Sequence, residues 1–252
     1  MFWKPRAVPG PEAGVVAPPA PAQPLYVIGD IHGCAGHLER LLARIGWPDL
    51  PAGAMLVLLG DYVDRGEDSR RVLERVSGLA EEAPGRVVTL RGNHEQMLLD
   101  FLDRPSERGP RWLRNGGLQT LASFGIGGLV ETSEGSALET AANRLAAALG
   151  PELEGWLRGL PLHWHSGNVH AVHAAADPGL PMSEQLPRTL LWGRGEFFRS
   201  PRSDGNWIVH GHTVVAQPLA ENGRIAVDTG AVYTGRLTAA RIVKGKVTFI
   251  GT

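Results

Sequence analysis

Short polar strings that carry oxygen and nitrogen donors occur at intervals in this sequence, each just after a run of apolar residues. Their members are Asp30 and His32, Asp61 and Asp64, Asn93 and His94, His173, and His210 and His212. Carboxylate, imidazole and amide groups without a thiolate suit Mn, Fe or Zn better than a soft copper or iron–sulfur site. These donors suffice for two metal ions if one carboxylate bridges them. We expect Asp61 to be that bridge, because it follows the central one of three early strands.

The apolar runs before these strings predict the elements that position them. Residues 25–28, 55–59 and 87–90 are short, branched and apolar, as buried strands are. Apolar residues at three- and four-residue spacing predict helices over 37–45 and 69–80. Alternating strands and helices indicate a parallel sheet, in which ligands collect beyond the carboxyl ends of the strands. The polar strings should therefore meet at one edge of the sheet.

The second half of the chain returns to strands after a helix-rich stretch. Predicted strands span 162–165, 168–173, 207–210, 224–227, 237–243 and 246–250, with hairpin turns at Ser166-Gly167 and Lys244-Gly245. Residues 101–160 are predicted as a helical insertion, in which one helix runs from 137 to 149 until Pro151 stops it. Strands at both ends, with helices between and around them, predict an α/β fold of two stacked mixed β-sheets flanked by helices.

Composition limits the remaining possibilities. Residues 1–24 are rich in Pro and Ala and predict a flexible N-terminal segment before a single domain over 25–252. A net charge of -1 provides no cationic field, so we expect neither nucleic acid nor a membrane as a partner. Cys34 is the single cysteine, which excludes a disulfide framework. No apolar run approaches the roughly 20 residues of a membrane span, and we see no secretory signal, so we expect a cytoplasmic protein.

Each polar string alone also has a simpler interpretation. Residues 30–33 are typical of a turn with a helix cap, and Asn93 before a helix is typical of an N-cap. A lone histidine at a strand end, such as His173, is usually structural. These simpler interpretations would have to hold independently at five places, and all five offer metal-compatible atoms at a strand end. The joint pattern therefore favours a functional site.

The order of the strings carries a resemblance to a known family. They are Gly29-Asp30-Ile31-His32-Gly33, Gly60-Asp61-Tyr62-Val63-Asp64-Arg65-Gly66, Gly92-Asn93-His94-Glu95, His173-Ala174-Ala175 and Gly211-His212-Thr213. With 112–117, 191–194 and 227–231 in support, the chain resembles the PPP family of metal-dependent serine/threonine phosphatases over about residues 25–250. That family lies within the calcineurin-like metallophosphoesterases, and the bacterial and phage branch is the most similar.

The resemblance implies a four-layer αββα sandwich and a role for each matching residue. It implies that the first metal is held by Asp30, His32 and Asp61, and that the second is held by Asp61, Asn93, His173 and His212. His94 is then the general acid, oriented by Asp64, and Arg65 and Arg194 grip the phosphate. The implied cofactor is a pair of divalent ions, with Mn expected and Fe, Zn or Ni as alternatives. A hydroxide shared by the two ions would attack phosphorus directly.

The implied activity is hydrolysis of phosphoserine and phosphothreonine, with phosphotyrosine also open, in a phosphoprotein or phosphopeptide substrate. One alternative is a diadenosine tetraphosphate or other nucleotide hydrolase on the same site. The symmetrical diadenosine tetraphosphatases typically have alanine where this chain has Asp64. A remote alternative is a non-catalytic scaffold, which should have lost metal ligands. Because the given sequence ends soon after Ile250, we expect none of the C-terminal extensions of eukaryotic relatives and infer no regulatory subunit.

Some positions depart from the family pattern or have no assigned role. Ala174 stands where the family usually has glycine, and Gly193 stands where a branched apolar residue is common. Trp112 and Trp192 neighbour motif strings and are candidates to line the cleft. The histidines at 163, 165, 170 and 210 are expected to be structural or exposed. The insertion at 101–160, which lies between two ligand strings, is a candidate wall that limits substrate size.

Overall fold

Two five-stranded sheets form the centre of the protein, whose computed structural model describes residues 17–252. The strands are β1 Leu25–Ile28, β2 Met55–Leu58, β3 Val87–Thr89, β4 His163–Ser166, β5 Val169–Val172, β6 Trp207–His210, β7 Leu219–Glu221, β8 Arg224–Ala226, β9 Thr238–Val243 and β10 Lys246–Gly251. The first sheet has the order β10-β9-β1-β2-β3, and the second has the order β4-β5-β6-β8-β7. Both sheets contain parallel and antiparallel pairs. The predicted pair of mixed sheets is confirmed.

Nine α-helices connect or flank the strands of the described residues. They are α1 Ala35–Ile45, α2 Ser69–Glu82, α3 Asn93–Asp103, α4 Pro105–Trp112, α5 Leu118–Ser123, α6 Ser136–Gly159, α7 Pro187–Trp192, α8 Gly195–Arg199 and α9 Ala231–Thr234. A π-helical turn at Leu113–Gly117 joins α4 to α5. The predicted end of a helix before Pro151 corresponds to a break at Gly150, which has a φ of 71°. Helix α6 resumes after the break, because proline is tolerated in a first helical turn.

Alternation of side chains along the strands separates two apolar layers. Val27 and Val57 face the second sheet, where they pack in one cluster with Val209 and Ile225. The neighbouring residues Ile28, Leu56 and Leu58 face the other way and pack against the helices. The outer face of the second sheet is covered in turn by Leu190 of α7 and Phe197 of α8. The layers are therefore helix, sheet, sheet and helix, as predicted.

The helical region between β3 and β4 is part of this packing. Phe101 of α3 and Trp112 of α4 are fully buried, with ring centroids 4.6 Å apart. Leu138 and Leu145 of α6 join the same cluster, which continues to the helix-facing side of the first sheet. The segment predicted as an insertion thus forms part of the main core, and its assignment as a separate insertion stays a prediction.

Residues 17–24 cross from one sheet to the other, and we call this segment the strap. The carbonyl oxygen of Ala17 accepts a hydrogen bond from Trp207 Nε1 (2.7 Å), and that of Pro19 accepts one from the Gly245 amide (2.7 Å). The Ala20 amide donates to Asn168 Oδ1 (2.6 Å). Residues 17–24 are thus held in place, unlike the flexible segment predicted for 1–24. The rest of that prediction concerns residues 1–16, outside the described range.

The sequence prediction missed the short helices α7, α8 and α9 and one strand, β7. Strand β7 pairs with β8 through a turn at Asn222-Gly223, where both residues have positive φ (49° and 73°). Asn-Gly is the preferred sequence for such a two-residue hairpin turn, so the signal was present. In residues 17–252, no helix combines the length and the apolar character needed to cross a membrane.

Candidate active site

The strand ends that carry the polar strings turn sharply. Among residues 17–252, six non-glycine residues have positive φ, and five of them lie in these strings. The five are His32, Asp61, Asp64, Arg65 and His212. A positive φ is uncommon for residues with a side chain, and such conformations cluster at functional sites because the surrounding structure must hold them.

Glu95 holds the turn after β2, a role that the sequence interpretation did not assign. Its buried carboxylate accepts hydrogen bonds from four backbone amides, those of Asp61 (2.8 Å), Tyr62 (2.7 Å), Val63 (3.3 Å) and Gly92 (2.9 Å). Burial raises the pKa of Glu95 to about 7, although these hydrogen bonds act in the opposite direction. Glu95 is the third residue of α3, where a capping glutamate is common, so this signal could have identified it.

His32 presents an unshared electron pair to Asp61. The His32 Nδ1 atom lies 2.8 Å from the Val63 carbonyl oxygen, which can only accept, so Nδ1 carries the proton. The Nε2 atom is then free of hydrogen, 3.5 Å from Asp61 Oδ2. Burial lowers the pKa of His32 well below its usual value, and the neighbouring His94 and Arg65 lower it further. The ring is therefore neutral and able to bind a metal through Nε2.

His173 presents a second unshared pair on the other side of Asp61. Its Nδ1 donates to the Leu59 carbonyl oxygen (3.0 Å), and its Nε2 lies 3.4 Å from Asp61 Oδ1. Burial lowers the pKa of His173 well below its usual value, so this ring is also neutral. Asn93 Oδ1 lies 2.8 Å from His173 Nε2 and 2.8 Å from His212 Nδ1.

Atoms with unshared pairs thus converge on Asp61 from two sides. Atoms able to hold a metal form two groups, each within 4.8 Å, namely His32, Asp61 and His94, and Asp61, His173 and His212. His94 has the predicted role of general acid, which leaves His32 and Asp61 of the first group as ligands. Carboxylate oxygens and unprotonated imidazole nitrogens that face one another repel unless a cation lies between them. In the first group the Arg65 guanidinium supplies such a charge, since it donates to His32 and His94. Asp61 belongs to both groups, so the donor set fits two divalent ions that share one carboxylate. The identity of the metal stays a prediction.

Asp30 lies outside both groups of ligand atoms. Its carboxylate accepts the backbone amide of His212 (3.1 Å to each oxygen), which ties the end of β1 to the loop after β6. Burial raises the pKa of Asp30 well above its usual value, and the charges of Asp228 and Asp61 raise it further. The buried carboxylate favours a nearby positive charge, and the role of Asp30 as a metal ligand stays a prediction.

His94 and Asp64 form a buried pair beside this cluster. His94 Nδ1 donates to Asp64 Oδ2 (2.6 Å), and the same carboxylate accepts hydrogen bonds from Trp112 Nε1 (2.9 Å) and the Thr120 hydroxyl (2.6 Å). Burial raises the pKa of Asp64 to about 8, while the hydrogen bonds from Thr120 and Trp112 and the charge of Arg65 lower it. The other ring nitrogen of His94, Nε2, lies 3.0 Å from Arg65 Nη2. Both ring nitrogens of His94 therefore have a hydrogen-bond partner.

The helical region between β3 and β4 therefore contacts the site through two residues, Trp112 and Thr120, that hydrogen-bond to Asp64. Trp112, suggested by the sequence as a residue lining the cleft, is instead fully buried under Asp64. Thr120 was not singled out, because it is separated from Asp64 by 56 residues and nothing local in the sequence connects them. The two residues flank the π-helical turn, so this turn determines how Asp64 is held.

The two predicted phosphate-gripping arginines occupy different environments. The Arg65 guanidinium donates to His32 Nε2 (2.9 Å) and His94 Nε2 (3.0 Å), in the middle of the cluster. Arg194 lies at the surface, and its partner among the described residues is Asp177. The two departures from the family pattern lie close together, since a side chain on Gly193 would begin 4.0 Å from the Ala174 methyl group.

The remaining histidines lie apart from the ligand groups. His163, His165 and His170 stack on one another along the β4–β5 hairpin. Burial lowers the pKa of His170 to about 4 and that of His210 to about 4. His210 packs its ring against Phe197, beneath α8. The lowered pKa values keep His170 and His210 neutral at ordinary pH, and none of the four histidines belongs to either group of ligand atoms in the described residues.

Comparisons with known proteins agree with this site. A sequence model of the family described as Calcineurin-like phosphoesterase matches residues 23–216. A bis(5′-nucleosyl)-tetraphosphatase (asymmetrical) from Oceanobacillus iheyensis is 30% identical over 240 residues, which cover 85% of this chain and 87% of that protein. The serine/threonine-protein phosphatase 1 of Salmonella typhimurium is 32% identical over 222 residues, which cover 86% of this chain and 91% of that protein.

A solved structure supports the fold. The cold-active protein-tyrosine phosphatase of a Shewanella species superposes with a TM-score of 0.61 at 20% identity, covering 90% of this chain and 80% of that one. The family match spans most of the chain, and the groups of histidine and aspartate side chains around Asp61 fit a divalent-metal site. The chain is therefore a metal-dependent hydrolase of phosphate esters and belongs to the calcineurin-like phosphoesterase family.

Proposed function

We propose that this protein is a phosphomonoesterase that hydrolyses phosphoserine and phosphothreonine in proteins or peptides, with phosphotyrosine as a further substrate. The observation that carries the proposal is the buried His94–Asp64 pair. Serine and threonine alkoxides are poor leaving groups, so their departure requires a positioned proton donor. A phosphate anhydride has a much better leaving group and gains less from such a donor.

Different residues of the site have different roles in the proposed reaction. Divalent ions held around Asp61, His32, Asn93, His173 and His212, with Asp30 beside them, would activate water for in-line attack on phosphorus. The water oxygen bonds to phosphorus, and the bond between phosphorus and the serine or threonine oxygen breaks. His94 Nε2 gives its proton to the departing oxygen, and the ring takes another from solvent.

Asp64 and Arg65 prepare this proton transfer. In the structure the His94 ring is neutral, since burial, Arg65 and His212 lower its pKa well below the usual value. A phosphate dianion next to the ring, together with an ionised Asp64, favours the imidazolium that acts as acid. Arg65 reaches into the cluster and its planar guanidinium matches phosphate oxygens. Arg194 would join it only after leaving Asp177.

The test compares leaving groups. With Mn added, the wild-type protein should hydrolyse a phosphothreonine peptide. We expect His94→Asn to lower kcat for this peptide by about 100-fold or more. It should lower kcat much less for p-nitrophenyl phosphate, whose phenolate departs without a proton. Asp61→Asn should abolish both activities. Equal losses for the two substrates with His94→Asn would contradict the role of His94 as proton donor.

A second candidate is hydrolysis of dinucleoside tetraphosphates. The similarity to the asymmetrical tetraphosphatase of Oceanobacillus iheyensis favours it. Diadenosine tetraphosphate as a third substrate in the same assay distinguishes the two functions. A kcat/KM for the dinucleotide well above that for the phosphopeptide, with little effect of His94→Asn, would establish this second function in place of the first.

A further inference from the structure

A polar pocket of about 450 Å³ opens next to Arg65. Its wall is formed by Arg114 of the turn between α4 and α5, by Gln119 of α5, and by Glu131 and Tyr233 from two other segments. The Arg65 amide donates to the Gly116 carbonyl oxygen (3.3 Å), so the wall of the pocket is continuous with the backbone of the site. We call this space the Arg114 pocket.

The polar side chains of the Arg114 pocket are free to bind. Arg114, Gln119 and Glu131 are exposed, and within residues 17–252 none of them has a hydrogen-bond or ion-pair partner in another side chain. Tyr233 is 68% exposed, which is unusual for a large aromatic side chain. An unpaired guanidinium beside a phosphate-binding arginine offers a second position for an anion.

Arg65 connects the pocket to the side of the site from which the alcohol would depart in the proposed reaction. Arg65 contributes to the pocket, and its Nη2 atom is 3.0 Å from His94 Nε2, the atom that gives up the proton. The oxygen that receives this proton belongs to the departing serine or threonine. In the proposed reaction the peptide that carries this residue therefore lies beside His94, next to the arginine that also lines the Arg114 pocket.

We propose that the Arg114 pocket is a peptide subsite that selects phosphorylated residues with an acidic neighbour. This inference rests on the proposed phosphatase function and adds a sequence preference to it. Arg114 pairs with the carboxylate of the neighbouring aspartate or glutamate. The Gln119 amide can donate to and accept from an extended backbone, and the Tyr233 ring packs against an aliphatic side chain.

The charges in the pocket favour a single carboxylate over a chain of phosphates. Arg65 is committed to the phosphate under attack, which leaves Arg114 as the cation of the pocket. Glu131 stands on the same wall and repels a further negative charge. A tetraphosphate chain would bring several charges into this space, whereas a peptide with one acidic residue brings one.

The experiment measures kcat/KM for two phosphothreonine peptides that differ only in having aspartate or alanine on both sides of the phosphothreonine. We expect the wild-type protein to prefer the acidic peptide by about tenfold, the effect of one charge-assisted hydrogen bond. Arg114→Ala should reduce the ratio to about one, Arg114→Lys should restore part of it, and Arg114→Glu should invert it. Arg71→Ala, an exposed arginine on α2 outside the pocket, should leave the ratio unchanged.

The outcomes distinguish a failure of the subsite proposal from a failure of the proposed phosphatase function. Equal hydrolysis of both peptides by the wild-type protein and by Arg114→Ala would overturn the subsite and leave the phosphatase function standing. No hydrolysis of either peptide would overturn both. A larger loss for diadenosine tetraphosphate than for the acidic peptide with Arg114→Ala would assign the pocket to a nucleotide instead.

Discussion

Asp61 is the residue on which the whole site depends. It contributes one oxygen to each group of ligand atoms, and its backbone is held in a left-handed conformation (φ 52°) by a hydrogen bond to Glu95. Gly92 lies so close that a methyl group there would come within 2.1 Å of Asp61 Oδ1. The position of this carboxylate is thus determined by two residues, Glu95 and Gly92, that lie outside both groups of ligand atoms.

Glu95→Gln tests this positioning at the scale of a single residue. The amide nitrogen of glutamine would face backbone amides that now donate to a carboxylate oxygen. We expect unsatisfied donors to cost about 1–3 kcal/mol each, which weakens Mn binding and lowers the melting temperature. Calorimetric titration with Mn and thermal unfolding give both values.

Glu152→Gln is the matched control, since this glutamate is exposed on α6. It should leave Mn affinity and melting temperature unchanged. Wild-type Mn affinity in Glu95→Gln would show that the turn after β2 keeps its shape without Glu95.

Residue types and their positions after strands predicted which side chains meet, but not which partners neutralise the charged ones. The strings predicted Asp61, His32, Asn93, His173 and His212 as neighbours because each follows a strand, and the two sheets bring those strand ends together. The partner of Arg194 was not predictable, since Asp177 lies in a loop whose path depends on tertiary packing.

At the scale of elements, the turn between α4 and α5 positions residues of the site, a role that its own sequence does not predict. It places Trp112 and Thr120 on Asp64, and Gly116 (φ 104°) directly behind Arg65. A side chain at Gly116 would begin 2.5 Å from the Arg65 nitrogen. The turn is a π-helical interruption, a feature often associated with functional sites.

Trp112→Phe tests this element. Phenylalanine keeps an aromatic ring packed on Phe101 but removes the Nε1 hydrogen that Asp64 accepts. Loss of a donor raises the pKa of a carboxylate. We therefore expect a lower kcat and an acid limb of the kcat profile displaced to higher pH, with KM little changed. Trp164→Phe, on β4, is the control and should keep the wild-type profile.

Element prediction succeeded where burial imposes a simple pattern. Strands β1 and β2 are short apolar runs buried on both faces, and helices α1 and α2 have one apolar stripe, so periodicity alone located them. Strand β7 is short and half exposed, which leaves no such pattern. The packing of α3–α6 into the main core was also invisible, because it depends on contacts between residues far apart in the chain.

At the scale of the whole molecule, buried carboxylates rather than histidines determine how stability depends on pH above neutrality. The pKa of Asp64 is raised to about 8 and that of Glu95 to about 7, against ordinary values of 3.8 and 4.5. A group with a raised folded-state pKa contributes stability that is lost as pH rises towards that pKa. The pKa values of His32 and His173 are lowered, so those two rings no longer titrate above about pH 6.5.

The metal-free protein should therefore be less stable at about pH 8.5 than at about pH 6.5, with a melting temperature lower by about 5 °C. Bound divalent metal offsets the buried charge, so the gain in melting temperature on adding Mn should increase with pH. Thermal unfolding with chelator and with Mn at both pH values measures this. Asp64→Asn removes one of the carboxylates and should reduce the pH dependence, and an unchanged dependence would contradict its origin in Asp64.

The strap crosses the sandwich at the end remote from the chemistry. It contacts the β4–β5 turn at Asn168, the first residue of β6 and the β9–β10 turn at Gly245, whereas β5 and β6 run from there towards His173 and His212. The strap and the candidate active site therefore lie at opposite ends of the strands. A fluorophore or surface linker attached in the strap, at the exposed Ala22 for instance, would leave substrate free access from solution.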